Sequence, residues 1–463
     1  MLYLYEIANI VSKKKKIKNQ FKIPIKGISI DSRTIKKGEI YIAIKGKNYD
    51  GHIFISEAIN KGAIAIICNK FYKLNVPIFV VTDTLKTLGE IAKLYISKFN
   101  KTKIIAITGS NGKTTTKEIL FSILSRKHNT IVSKQNFNNR IGLPLSIFRM
   151  NHKIKYAIFE LGTSLCGEIK ILSEILKPNI GIITNIGLSH LKSFINSYGI
   201  FKEKKQLFDS IKKLKYNSFI VINNDDKFLK YTYGFNKKQH KSNDITFAIK
   251  NIADVTAKDI KLYTNKIEFR LHYKSDSIMI TIYTQGKFNI MNALAAASCA
   301  IKLGFSLYEI KIGIEKFQPI MMRMENIFTN KGIVLINDSY NSNPISLKKS
   351  IEAVLEHYKG KNINLVIGDM NELGIHSIMY HNDIGDFIKN KPIRFIYLIG
   401  KMAIYIKNKL NEKRTFYCTD EIMLFKKLIQ TPLDNNSVFL FKASRSMNLE
   451  KICKNFFCFI NKQ

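Results

Sequence analysis

Short runs of β-branched and other apolar residues alternate with longer amphipathic stretches along almost the whole chain. The runs fall at 63–67, 104–107, 156–161, 180–184, 219–222, 334–337, 365–367, 395–399 and 437–442. Several are continuously apolar, as strands buried on both faces must be, whereas half-exposed strands alternate. Strands of this kind separated by helix-length segments predict an α/β fold with mostly parallel sheets.

Two polar interruptions divide the pattern. SKFNKTK precedes the run at 104–107, and FQPIMMRM, from 317 to 324, precedes a new strand-rich segment. Three domains are therefore expected, at 1–100, 101–317 and 318–463. Within the middle one, KIEFRLHY and SIMITIYT are alternating runs, which predicts antiparallel strands inserted between about 244 and 284. No internal repeat is visible, and the lysine run at 13–16 reads as a solvated loop.

Length and composition narrow the class. A chain of 463 residues, 46% hydrophobic and 24% charged, can bury a core in each domain and is neither disordered nor a disulfide scaffold. No stretch reaches the ~18 apolar residues of a membrane span. The formal charge of +39 would ordinarily point to nucleic acid. Only nine of the 74 basic residues are Arg, however, and the lysines are spread evenly, with no aromatic-interleaved basic motif. The charge reads as compositional drift, whose consequence is a field that favours anionic substrates. Neither a nucleic-acid partner nor integral membrane association is expected. The six cysteines lack zinc-site spacing and read as buried reduced thiols. At the N-terminus the positive run follows the apolar stretch, the wrong order for a secretory signal, so a cytoplasmic monomer is expected.

The sharpest local signal is AITGSNGKTTT at 106–116, between an apolar run and the helical KEILFSILSRK. Gly109 and Gly112 let the backbone turn its N–H groups toward a phosphate, Lys113 can reach the terminal phosphate oxygens, and Thr114 can ligate Mg²⁺. The full Walker pattern wants glycine where Ile107 stands, so the loop is a shortened one. Glu160 ends the run YAIFE, at the carboxyl edge where parallel sheets meet ligands. Taken alone it reads equally as a metal-side carboxylate or a solvated strand end. His190, after GIITNIGLS, reads alone more readily as a structural residue than as a ligand.

Eight ordered blocks resemble the ATP-dependent Mur ligase family: TGSNGKTTT at 108–116, FNNRIGLP at 137–144, ELG at 160–162, TNIGLSHL at 184–191, GKFNIMNALAA at 286–296, NDSYNSNP at 337–344, GDMNELG at 368–374 and FKASRS at 441–446. The segment 28–63 is similar to the family's UDP-binding domain. Members that add lysine or diaminopimelate typically carry a DYAHTP-like segment where this chain has DSYNSNP, and the diaminopimelate-adding form shows an Asp-Asn-Pro-Arg motif that is absent here. The pattern resembles the dipeptide-adding branch. Another Mur ligase or a folylpolyglutamate-synthase-like enzyme is the alternative.

The resemblance implies an N-terminal UDP-binding α/β domain, a central P-loop-type ATPase domain with a mostly parallel sheet, and a Rossmann-like C-terminal α/β domain. It implies ATP and Mg²⁺ as cofactors, and UDP-N-acetylmuramoyl-tripeptide and D-Ala-D-Ala as substrates joined through an acyl phosphate. Carried over by position, Thr108, Gly109, Ser110, Asn111, Gly112, Lys113, Thr114 and Thr115 would hold the phosphates, with Asn289, Asn292, Arg323 and Asp338 on the nucleoside. Lys113, Glu160, His190 and Lys204 would be catalytic, and Thr114, Glu160, His190 and Lys204 would hold metal. Lys204 fits the family's carbamylated-lysine pattern in KKQLF, although Lys202 and Lys205 leave the register and a solvated helix face open. Asn138, Asn139, Thr163 and Ser164 would face the sugar-peptide. Ser32, Arg33, Lys45, Gly46, Asp50 and His52 would meet the UDP, with plain surface charge the alternative for Arg33 and Lys45. Asn341, Asn343, Lys442, Ser444 and Arg445 would lie near the dipeptide. Phe288 stands where the family usually has His, and Ala443 where it usually has Gly.

Overall fold

A computed structural model of the chain describes residues 2–12, 22–46, 48–134, 136–189, 191–214, 218–234 and 241–462. The lysine run at 13–16 and His190 lie outside the described residues. Three α/β units follow one another.

In the middle unit, Lys103–Thr108 lies parallel to both Tyr156–Glu160 and Ile180–Ile183. The parallel block continues to Thr130–Val132 on one side and through Phe219–Asn223, Ile245–Ala248 and Val255–Leu262 on the other. Ile267–Tyr273 and Asp276–Ile282 add on antiparallel and complete a 9-stranded sheet. The segment expected as inserted antiparallel strands is thus an extension of the same sheet. Its first strand, Ile245–Ala248, is parallel, because all four of its residues are buried, as a sheet covered on both faces requires.

Burial on both faces explains the continuous apolar runs. Ile105 and Ile107 face a core completed by the helices Lys113–Leu124, Phe288–Lys302 and Leu307–Glu315. Ile104 and Ala106 face the opposite core, built from Glu168–Leu176 and Ser197–Lys212. Side chains alternate across a strand, so each face gets its own set.

The first unit is a parallel sheet of Gly27–Ser29, Glu39–Ile42, Ala65–Cys68 and Ile78–Val80. Its last helix, Thr84–Ser97, starts at Asp83, whose carboxylate accepts from the Lys86 N–H. This helix serves two cores. Leu88 and Ile91 pack with the first unit, while Ala92 and Ile96, followed by Phe99, pack with the middle one.

The C-terminal unit is a 6-stranded sheet, in order Glu325–Phe328, Val334–Asn337, Ser437–Lys442, Asn362–Gly368, Phe395–Ile399 and Thr415–Cys418. Only the first pair is antiparallel. Leu191, Phe194 and Ile200 of the middle unit share a core with it, which brings the carboxyl edges of the two large sheets face to face. Among the described residues no helix is long and apolar enough to cross a membrane. All six cysteines are free thiols, but Cys166 and Cys458 are exposed, which corrects the expectation that all are buried. Cys166 follows the sheet's carboxyl edge in a surface turn, and Cys458 falls on the outward face of the last helix, Leu449–Lys462.

Candidate active site

Between the middle and C-terminal units lies a cleft of about 1260 Å³. Its floor is the turn from Lys103–Thr108 into Lys113–Leu124. Gly109 and Gly112 have φ of 149° and 81°, and a Cβ on Gly112 would come 2.2 Å from Asn292 Oδ1. Glycine is required there both for the left-handed backbone and for the close approach of the neighbouring helix. Asn185 and Thr184 brace the loop: Asn185 Oδ1 accepts from the Asn111 N–H at 3.1 Å, and Thr184 Oγ1 donates to the Asn111 carbonyl at 2.6 Å. Ser110 Oγ bonds both the carbonyl and the N–H of Gly187. Thr108 is buried and donates to the Leu161 carbonyl, while Thr115 lines the cleft.

The groups expected to act on phosphate converge. Thr114 Oγ1 donates to Glu160 Oε2 at 2.8 Å, and the Arg323 guanidinium reaches Thr114 Oγ1 at 3.0 Å from the other side of the cleft. Arg323 lies over the Tyr340 ring at 4.2 Å, and its Nε is buried without a partner. Lys113 turns back onto the Gly109 carbonyl at 2.9 Å. Enclosure lowers its pKa from the ordinary lysine value, with Glu160 opposing that shift and Arg323 adding to it.

Lys204, on Ser197–Lys212, is buried behind the cleft wall, which removes the solvated-face alternative; the exposed position belongs to Lys202. Burial, and then the charge of Lys113, push its pKa well below the ordinary value, against the pull of Glu203 and Glu160.

Asn289 and Asn292 are buried on one side of Phe288–Lys302 and line the cleft, linked by a 2.9 Å hydrogen bond. Phe288, lining the same wall, packs against the C-terminal core. Asp338 accepts from Lys442 Nζ at 2.6 Å and from Ser350 Oγ at 2.6 Å, so its charge is already matched. Asn343 caps Pro344–His357 and donates to Asn111 Oδ1 at 2.9 Å, a direct link from the C-terminal unit to the phosphate loop. Asn341, Ser444 and Arg445 also line the cleft.

Asn138 donates to Glu160 Oε1 at 2.9 Å and faces the cleft with Thr163 and Ser164. Asn139 is not among the residues lining the cleft, and its carboxamide oxygen accepts from the N–H groups of Ile141 and Gly142, which shapes the turn. In the first unit none of the expected residues lines this cleft. Arg33, expected on a diphosphate, forks onto Asp31 at 2.8–2.9 Å, which holds that carboxyl below the usual range. Ser32 bonds Glu57, and Asp50 bonds His52 Nδ1 at 2.6 Å. Lys45 stays exposed, and the Gly46 N–H donates to the Tyr49 carbonyl.

Lys117, Ser133, Thr184, Asn185 and Tyr340 were not singled out by sequence. Lys117 carried no signal in a chain so rich in lysine, whereas Tyr340 lay inside the NDSYNSNP block.

A shortened phosphate loop that faces a second nucleotide-fold sheet across a cleft, with an arginine crossing between them, defines an enzyme that handles a nucleoside triphosphate between two units. Comparison with known proteins narrows that class. Residues 24–96 match the model "Mur ligase family, catalytic domain", 107–300 the Mur ligase middle domain, and 322–445 the Mur ligase glutamate ligase domain. The chain is 37% identical over 434 residues to the UDP-N-acetylmuramoyl-tripeptide--D-alanyl-D-alanine ligase of Buchnera aphidicola subsp. Baizongia pistaciae, covering 93% of this chain and 92% of that one. A crystal structure of MurF from Acinetobacter baumannii superposes with a TM-score of 0.88 at 29% identity, covering 98% of both chains. MurF of Thermotoga maritima, crystallised with ADP, gives 0.84 at 26% identity, covering 94% of this chain and 98% of that one. The chain belongs to the Mur ligase family.

Proposed function

We propose that the protein is the ATP-dependent ligase that joins D-alanyl-D-alanine to UDP-N-acetylmuramoyl-tripeptide in peptidoglycan precursor synthesis. The observation that carries this reading is the convergence of Lys113, Thr114, Glu160 and Arg323, drawn from two units, at one end of the cleft. The relatives' names and the absence of a DYAHTP-like segment favour the dipeptide as amine donor.

The chemistry asked of these residues is mainly positioning and charge neutralisation. The tripeptide's terminal carboxylate attacks the γ-phosphorus of ATP, ADP leaves, and an acyl phosphate forms. The dipeptide amine then attacks the acyl carbon, phosphate leaves with the C–O bond electrons, and the amine's proton is lost to solvent or a nearby base. Lys113 balances phosphate charge, and Arg323 extends that balance across the cleft once the units close on ATP. Asn138 and Thr163 orient the substrate's carboxyl end. Asn289 and Asn292 offer both donors and acceptors to the adenine edge.

Glu160 and Thr114 provide two adjacent, buried oxygen donors, a hard-ligand pair that would suit Mg²⁺. When bound, Mg²⁺ supplies charge neutralisation between phosphate oxygens. Lys204, as its carbamate, and His190 would complete the metal side. On this reading the protein works in the cytoplasm as a monomer, where the nucleotide-linked precursor and ATP are met together.

The test is phosphate release from ATP with UDP-N-acetylmuramoyl-tripeptide, with and without D-Ala-D-Ala, alongside other amino-acid donors and glutamate. Release that needs both substrates and prefers the dipeptide is expected. A preference for another donor would move the protein to a sibling ligase, and no release with any donor would refute the reading.

A further inference from the structure

One buried charge plays no part in the chemistry above. Lys117 lies one turn beyond Lys113 on Lys113–Leu124, and its side chain has 0% exposure. Its ammonium donates to the Ser133 carbonyl at 2.7 Å and lies 3.1 Å from Glu118 Oε1. Withdrawing an ammonium from water is costly, and one carbonyl and one partly exposed carboxylate offset that cost incompletely. A methionine of similar length would fill the space without the penalty. The charge is therefore there for what it holds.

What it holds is the point where the chain leaves the sheet. Ser133 follows the edge strand Thr130–Val132; its N–H donates to the Ile158 carbonyl at 3.0 Å, and its Oγ accepts the Glu160 N–H at 3.2 Å. Further along, the Asn138 carbonyl accepts the Gly162 N–H at 2.8 Å, and the Asn138 amide donates to Glu160 Oε1 at 2.9 Å. Glu160 is thus gripped at its backbone by Ser133 and at its carboxylate by Asn138.

We propose that Lys117 is a positioning residue for the metal-side carboxylate: by clamping the Ser133 carbonyl it sets Ser133 and Asn138 against Glu160 and aims that carboxylate at Thr114. One helix then carries both the phosphate contacts, Lys113 and Thr114, and the anchor for the carboxylate opposite them. This inference rests on the reading of Glu160 as a metal-side group.

The test compares wild type, Lys117→Met, Ser133→Ala and the double variant. Readouts are melting temperature, binding of a fluorescent N-methylanthraniloyl-ADP in EDTA, and the Mg²⁺ midpoint for binding the same probe. Loss of an outer-shell partner typically weakens metal affinity by about tenfold to a hundredfold. The Mg²⁺ midpoint of Lys117→Met is expected to rise by that order, with probe affinity in EDTA and melting temperature near wild type. Ser133→Ala is expected to shift in the same direction, and the double variant no further than Lys117→Met, since both act through one contact chain. An unchanged Mg²⁺ midpoint in Lys117→Met would overturn the proposal, as would loss of probe binding in EDTA, which would mark a general support of the helix. Should Lys117→Met fail to fold, Ser133→Ala decides, and an unchanged midpoint there overturns it. Because ADP binding needs no acceptor substrate, the result stands apart from the donor assay. A wild type that binds the probe without regard to Mg²⁺ would also overturn it.

Discussion

Gly112 is the residue at which backbone geometry and nucleotide chemistry are least separable. Gly112→Ala places a methyl group where Asn292 Oδ1 already lies, at a φ that L-residues avoid, so ATP binding is expected to fall sharply in a titration with fluorescent nucleotide. Lys113→Ala should abolish phosphate release yet leave binding of the UDP substrate largely intact, as isothermal titration would show, because the first unit's candidate contacts lie outside the cleft. Loss of both together would sink that separation. At this scale the sequence was most legible where backbone conformation demands particular residues, as at Gly109 and Gly112. It was least legible where an ordinary residue gains its role from burial. Lys117 looks like any other lysine until the fold removes it from water, and Asn139 looks like Asn138 until the turn directs it to backbone.

The helix Pro344–His357 ties the C-terminal unit to the middle one at both of its ends. At its start Asn343 caps the first turn and bonds Asn111; Asn343→Ala is expected to cost about 1 kcal/mol of stability, measured by denaturant unfolding, and to raise the KM for ATP. At its end His357 Nε2 accepts the Gly286 N–H at 3.0 Å while Nδ1 donates to the Tyr263 carbonyl at 2.5 Å, so the ring is held neutral. Burial lowers its pKa below the ordinary 6.5, with Glu356 and Lys287 as the charges nearby. The unfolded chain therefore takes up the proton first as pH falls, and stability is lost from the ordinary histidine range downward through the folded value. His357→Gln should flatten the fall of melting temperature between about pH 7.5 and about pH 5.5. His381 and His128, both lowered first by burial, retain part of that dependence. Most long strands buried on both faces were readable as apolar runs, but Ile245–Ala248 was not, since Thr246 interrupts it. Short or edge strands such as Thr130–Val132 and Thr415–Cys418 were not, because pairing rather than pattern makes them strands.

The molecule as a whole carries a charge of +39, and its substrates are anions. Rising salt should raise the KM for the UDP substrate while leaving kcat nearly unchanged, a dependence that steady-state kinetics at several ionic strengths would reveal. Three units were legible from two polar interruptions in the sequence, but the sharing of cores between them was not, since it depends on which face of a helix meets which neighbour. Thr84–Ser97 is the clearest case: Leu88 and Ile91 belong to one core, Ala92 and Ile96 to the next. A helix shared in this way cannot shift against one core without disturbing the other. On the proposed reading, in which Ser32 and Lys45 meet the UDP group, the span from them to the phosphate loop is set through that helix, like a caliper with one jaw tied to its bar. On that reading the protein gauges the length of what it accepts: a nucleotide-linked peptide one residue short is expected to leave its carboxylate short of Asn138 and Thr163, and a phosphate-release assay with the shortened substrate would show little turnover.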